Sequence, residues 1–390
     1  MEKWSVIACD QFTSEREYWD RVRERVGAEP STLNMIMPEA YLNDVPALDM
    51  AETTNRAMAE YLDGGVFEKL PASFVYVERH TSKGIRHGVV GMIDLEAYDF
   101  TYGSKSHVRA SERTVAERLP ARMLIREKAR LELPHTIVLI DDPEKRIIEP
   151  MRLRKDSFRK LYDFELMEGG SRIEGRLIEG KAALELEESF RVLEESELSY
   201  VIGDGNHSMA AAKELWNKIK TGLTEAEAQT HPARFFLCEV VNVYDEGIVF
   251  EPIHRIVFNV EPDKLIELVK EKLEIPGGRE VTVCTGGKKR GSVHLRGRSF
   301  GNMVEALQEL LDEYASIYEG TVDYIHDEDS LLKLTEEEGS VGFLMPVIGK
   351  EDLFATVMHE GLWPKKSFSV GSARDKRYYL EAREIIVNDN

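Results

Sequence analysis

The residues of this chain best suited to chemistry stand together at Val201-Ile202-Gly203-Asp204-Gly205-Asn206-His207-Ser208, where an apolar run meets a glycine-bearing turn and a helical pattern begins at once. The first amides of a helix lack intrahelical partners and carry the positive end of its dipole. Such a turn favours an anion, and Gly205 allows a phosphate to approach the backbone. Asp204 has the chemistry to hold a metal cation, a sugar hydroxyl or a nucleophile's proton. His207 can serve as acid, base or phosphate donor near neutral pH, and Asn206 and Ser208 add hydrogen-bonding groups. The same spacing also suits a plain helix start, in which Asp204 or Asn206 caps the first turn, the glycines supply backbone freedom and His207 faces water. The segment is neither a Walker loop nor a dinucleotide-binding fingerprint.

A second constellation is Ser106-His107-Val108-Arg109-Ala110-Ser111-Glu112-Arg113-Thr114. Arg109 and Arg113 have the planar, two-pronged donors that suit phosphate, while the plainer reading is a solvated helix start with surface ion pairs. A third is the basic turn Trp363-Pro364-Lys365-Lys366-Ser367, able to close over an anion or to be an ordinary loop. Asp10 with Glu15, His254-Arg255 and His326-Asp327-Glu328-Asp329 are acidic or histidine-bearing clusters, none with the His-Glu-x-x-His spacing of a zinc site. Cys9 reads as a small core residue, since no base stands near it in sequence.

The composition narrows the functions these groups can serve. A net charge of -20 opposes sequence-independent attraction to nucleic acid or an anionic membrane, and no basic helix-turn-helix segment is evident. The three cysteines Cys9, Cys238 and Cys284 form no Cys-x-x-Cys pair and no even-numbered framework, which points to a reducing compartment. The opening Met-Glu-Lys-Trp lacks a secretory signal's basic head and apolar core, and no apolar run approaches the roughly 20 residues of a membrane span. The expectation is a cytoplasmic protein that acts on a small molecule, without nucleic acid or membrane as partner and with self-association left open.

The elements that must position these groups follow from periodicity. Strands are expected at Trp4–Cys9, Phe74–Arg79, Gly88–Asp94, Thr136–Ile140, Leu198–Ile202 and Phe235–Val243, the last in a hairpin with Ile248–Phe250. Helices are expected at Ser14–Val26 with Ser14 as cap, Ala51–Leu62, Lys181–Leu193, His207–Lys220, Asp263–Leu273 and Met303–Tyr318, with helical character over Ser111–Arg130. A second hairpin joins Val281–Cys284 to Ser292–Leu295, and Glu165–Gly175 reads as a small strand pair. The fold class is α/β, layered, with mixed sheets and helices. The chain divides into an N-terminal region over 1–150, a region with the Asp-Gly-Asn-His turn over 151–260, and a C-terminal region over 261–390.

Several separated segments together resemble one family, the domain of unknown function 1015. They are Ala8-Cys9-Asp10-Gln11-Phe12-Thr13-Ser14-Glu15, Pro30-Ser31-Thr32-Leu33-Asn34, Ser111-Glu112-Arg113-Thr114, the Gly-Asp-Gly-Asn-His-Ser turn, His254-Arg255, Tyr324-Ile325-His326-Asp327 and Pro364-Lys365-Lys366-Ser367. The turn, Asp-Gly-His-His-Arg in the family's common form, is similar to the nucleotide-binding turn of the ParB/sulfiredoxin superfamily, whose members include free-serine kinases. The resemblance implies an element of that kind around 198–220, ATP or ADP and Mg2+ as cofactors, and a phosphate site at Asp204, Gly205, Asn206 and His207. Asn206 and Ser208 stand where the common form has His and Arg, so Arg109, Arg113 and Lys365 become the candidate phosphate clamps. Asp10 and Glu112 become the candidate catalytic acids, and Asp204 the candidate metal ligand. The activity implied is a kinase acting on the hydroxyl of an amino-acid-like, serine-like metabolite. A phosphate-ester or nucleotide hydrolase and a nucleotide-binding regulatory module without turnover are the alternatives.

Overall fold

The computed structural model describes residues 1–390 except 14, 43, 115, 117, 118, 365 and 386–390, so the expected cap at Ser14 and the candidate Lys365 lie outside the described residues. The chain forms an α/β structure divided into two compact units. The first comprises 1–110, 114–249 and 371–390, and the second 111–113 and 250–370. The division departs from three consecutive regions because the tail from Gly371 returns to the first unit, where Ile7 bridges Arg377 and Tyr378 N donates to Val6 O at 3.0 Å. Periodicity cannot report such a long-range pairing.

The first unit is built on a nine-stranded mixed sheet. Its order is Tyr98–Asp99, Val108–Ala110, Tyr200–Asp204, Ile137–Ile140, Phe235–Asn242, Gly84–Asp94, Phe74–Thr81, Arg172–Ile178 and Arg159–Glu165. The strands are rich in β-branched and aromatic residues, as a pleated and largely covered surface requires. Tyr200–Asp204 runs parallel to Val108–Ala110 on one side and antiparallel to Ile137–Ile140 on the other. Val89, Val138, Ile202 and Val240 make a buried layer with Met209, Ala212 and Trp216, side chains of the helix Asn206–Lys220. That helix is anchored along its length. Lys213 Nζ donates to Leu95 O at 2.8 Å, the Trp216 indole donates to Glu96, and Ala210 and Ala211 pack with Leu119 and Met123 of the helix Leu119–Glu127.

The second unit has an antiparallel five-stranded sheet ordered Lys288–Leu295, Glu274–Thr285, Val341–Leu344, His254–Phe258 and Thr321–Ile325. The hairpin expected between Val281–Cys284 and Ser292–Leu295 is present and longer than its apolar core. It turns at Gly286 and Gly287, both at positive φ. The other expected hairpin is not formed: Phe250–Pro252 pairs with Phe368–Val370 instead of turning back on Phe235–Asn242. The turn residues Asp245-Glu246-Gly247 are there, and Asp245 Oδ1 accepts from Gly247 N at 2.8 Å, yet a turn does not dictate which strand follows. Among the described residues of Ser111–Arg130 the α-helix is Leu119–Glu127, and Trp4–Cys9 contributes a single bridge at Ile7.

Candidate functional site

The turn after Ile202 is set by backbone sterics. Gly205 adopts φ 86° and ψ 24°, a left-handed conformation, and a Cβ there would stand 2.4 Å from Thr136 Oγ1, just before the adjacent strand. Only glycine satisfies both conditions. Gly205 is itself the N-cap and has no side chain with which to cap the first turn of the helix Asn206–Lys220. Asp204, at the strand's last position, accepts from Lys376 Nζ at 3.0 Å through Oδ1. Asn206 is buried, and His207 and Ser208 are half-buried.

Four side chains that sequence patterns did not single out converge here. Ser208 Oγ and His135 Nε2 share a hydrogen bond of 2.9 Å, and the His135 ring lies 4.7 Å from that of Tyr378, centroid to centroid. Lys376 is brought in by the returning tail. Arg122 Nη2 donates to Glu39 Oε1 at 2.5 Å and stands 3.8 Å from Asp10 Oδ2. Histidine, lysine, arginine and tyrosine occur throughout the sequence, and no spacing ties residues 122, 135, 376 and 378 to residue 204. The one available signal was that His135-Thr136 immediately precedes a buried β-branched strand.

The electrostatics bind the group together. Burial would raise the Asp10 carboxyl, but the Gln11 amide at 3.0 Å, with His135, Lys376 and Arg122 nearby, outweighs it and holds Asp10 below its ordinary value. Burial depresses His135 against the opposing pull of the Asp10 and Asp204 carboxylates, which favours the neutral imidazole. Burial and the Asp10 charge push the Cys9 thiol up to about 12, so it is not a thiolate nucleophile. The result is a patch with charges of both signs beside a helix N-terminus. The Asp204 and Lys376 side chains keep 18% and 11% exposure, enough for water or a ligand to reach them.

Asp204, Gly205, Asn206, His207 and Ser208 form the turn, and Asp10 joins it through its electrostatic coupling to Lys376 and His135. Arg109 does not reach it. Its guanidinium donates to the carbonyls of Ser106 at 2.7 Å and Glu197 at 3.2 Å, which precede the two parallel strands whose far ends carry Ala110 and Asp204. Glu112 and Arg113 belong to the second unit, where Glu112 bridges Trp363.

Other segments of interest in that unit have structural partners. Arg255 lies opposite Tyr324 across paired strands with its guanidinium 5.6 Å from the ring. His254 Nδ1 accepts from Met345 N at 3.0 Å, and burial pushes His254 down to about 4. Asp327 caps the helix Glu328–Leu334 by accepting from Ser330 N at 2.8 Å. Among the described residues no group of three or more His, Cys, Asp or Glu is placed to hold a metal ion.

Against solved structures, the chain is similar to a free serine kinase in complex with AMP, at 10% identity and a TM-score of 0.40, over 74% of this chain and 90% of the other. It is also similar to SbnI with C-terminal truncation from Staphylococcus aureus, at 12% identity and 0.37, over 72% and 82%. A third is a conserved hypothetical protein from Pyrococcus furiosus, at 12% and 0.35, over 72% and 90%. No curated protein matches the sequence. The match that identifies the chain is to a family model spanning residues 1–323, and the chain belongs to that family, described as a protein of unknown function (DUF1015).

Proposed function

We propose that this protein is a small-molecule kinase that moves a phosphoryl group from ATP or ADP to a hydroxyl of an amino-acid-like metabolite. One observation carries the reading. A 15-residue helix starts at a left-handed glycine with no capping side chain, beside a partly exposed Asp204–Lys376 pair and within the field of Asp10 and His135. Helix amides presented in this way receive phosphate oxygens, and the resemblance of the turn to nucleotide-binding turns supports the same use.

In this reading the amides of Asn206 and His207 hold the nucleotide phosphates, and Lys376 offsets their charge. Asp10, kept ionised by its surroundings, orients the acceptor hydroxyl and takes its proton. Ser208, fixed by His135, donates to a phosphate oxygen. Positioning and charge stabilisation supply most of the rate in phosphoryl transfer, and this set of groups offers both. Mg2+ fits the donor set only in company with the nucleotide, since it takes one or two carboxylates plus substrate phosphates. Asp204 is the side chain that would hold it. When bound, the ion would neutralise charge on the transferred group.

The test is a thermal-shift titration of the parent, Asp204→Ala and His207→Ala with ATP and ADP in the presence of Mg2+. A nucleotide at a hundredfold excess over Kd stabilises the native state by about 2.7 kcal/mol. The expected result is a clear rise in Tm for the parent that shrinks in both variants. No rise with either nucleotide sinks the reading.

A further inference from the structure

Next to the turn, the first unit contains a cleft of about 130 Å3 whose chemistry differs sharply from the turn itself. Its lining includes Met35, Met37, Met58, Leu131, Ala211 and Phe236, together with Ser208, His135, Cys9 and Tyr378. Ser208 thus belongs at once to the turn and to the lining of a mostly apolar cleft. Three methionines make an adaptable wall, because the unbranched thioether reshapes itself around an apolar guest.

The charged residues of the wall are matched by partners. Arg122 is bound to Glu39 at 2.5 Å, and Arg126 to Glu132, which also accepts from Arg383 Nη2 at 2.8 Å and Leu237 N at 2.9 Å. Each cation of the wall already holds a carboxylate, and Arg126 keeps Nε and Nη2 buried without a hydrogen-bond partner; most of the lining is apolar, so an apolar body would gain by leaving water. The thiol of Cys9, protonated at neutral pH, adds no charge.

We propose that this cleft is the acceptor subsite and that the acceptor is an alcohol with an apolar body, larger and less polar than serine. The proposal rests on the kinase reading above and names its substrate class. The alcohol oxygen attacks the terminal phosphorus of the nucleotide. The new O–P bond forms as the bridging O–P bond breaks, the bonding pair leaves with the shortened nucleotide, and the hydroxyl proton passes to the Asp10 carboxylate. The products are a phosphate monoester and ADP from ATP, or AMP from ADP.

The experiment measures ADP formation and the phosphate monoester, the latter by phosphorus NMR, with ATP, Mg2+ and a series of probes: serine, ethanol, 1-propanol, 1-butanol, 1-pentanol and benzyl alcohol. The expected kcat/KM rises about fourfold per added methylene and exceeds that of serine by about tenfold or more at 1-pentanol. Two variants narrow the cleft, Leu42→Trp at a half-buried lining position and Met58→Trp deeper in. Both are expected to lower kcat/KM for 1-pentanol about tenfold while leaving the ATP-induced rise in Tm as in the parent. A preference for serine, an absence of chain-length dependence, or variants that turn over 1-pentanol like the parent would each overturn the subsite and leave the kinase reading intact. If ATP stabilises no form, the kinase reading fails, and 1-pentanol alone then decides the cleft. A rise in Tm for the parent that is absent in Leu42→Trp supports apolar binding, and equal shifts overturn it.

Discussion

One short stretch of chain, Lys376-Arg377-Tyr378-Tyr379, serves two polar clusters in the first unit, and the two are built on opposite terms. The stretch is extended and pairs with the N-terminal segment, so its side chains alternate between two sides. Lys376 binds Asp204 and Tyr378 packs on His135. Tyr379 donates to Glu239, which also takes Arg86 Nη2 at 2.9 Å. Arg377 donates to the Ser5 carbonyl at 3.2 Å. Glu239 and Arg86 are sealed, at 0% and 3% side-chain exposure, whereas Asp204 and Lys376 remain open to water at one side. A sealed cluster built on the buried Arg86–Glu239 pair holds the tail in register; an open cluster with charges of both signs can exchange partners with a ligand. Because a slip of one residue would send each side chain to the other side, the sealed cluster also fixes where Lys376 stands.

The largest effect expected is on the sealed side. Burial works to lower the Arg86 guanidinium, and the Glu239 carboxylate outweighs it and holds the group above its ordinary value. Arg86→Met leaves a carboxylate buried without its cation and should cost about 3–5 kcal/mol in urea unfolding, a large share of typical stability. A loss below about 1 kcal/mol would show that the cluster is not what fixes the tail. Next comes Gly205→Ala, which must place a Cβ at a left-handed φ and against Thr136 Oγ1. The combined strain is expected to cost about 2–4 kcal/mol and to displace the helix start, so the nucleotide-induced rise in Tm should fall with it. An alanine variant with parental stability and parental response to nucleotide contradicts the account of the turn.

What the sequence could disclose follows the same divide. The turn was legible because strand, glycine and helix are consecutive: the strand Tyr200–Asp204 and the helix Asn206–Lys220 lie within two residues of the boundaries that periodicity implies. The helices Gly180–Leu193, Pro262–Leu273 and Phe300–Tyr318 were legible for the same reason, as amphipathic runs with local stop and start signals. The residues that surround the turn were not. Lys376 lies 172 positions from Asp204 and reaches it by a backbone pairing with residues near position 7 that no local pattern records. Arg109 misled because a guanidinium able to bind phosphate is equally able to bind two carbonyls, and only its neighbours decide which.

A smaller effect separates the clusters by pH. Glu381, which accepts from Tyr162 OH at 2.8 Å, is pushed up to about 7 by burial. A carboxyl raised in the folded state contributes stability below its unfolded value, and that contribution is lost as pH rises through about 7. Replacing it with the neutral amide in Glu381→Gln keeps an acceptor for Tyr162. The variant's advantage over the parent should therefore grow from pH 5 to pH 8, by about 2 kcal/mol for a carboxyl raised from 4.5 to about 7. An advantage that stays constant over that range would remove Glu381 as a titrating group.

The smallest effect on stability, and the one that bears most on function, is at the open pair. An ion pair that water reaches contributes roughly 0–1 kcal/mol, so Lys376→Met should unfold in urea within about 1 kcal/mol of the parent. Its effect belongs elsewhere. Without the ammonium, Asp10 and Asp204 lose a cationic neighbour, and the helix N-terminus keeps its dipole but loses the side chain that offsets phosphate charge. The rise in Tm produced by ATP with Mg2+ should drop in Lys376→Met and persist in Lys376→Arg, which retains the charge. A large loss of stability with an unchanged nucleotide response would reverse the assignment of the two clusters, making the pair at Asp204 the structural one.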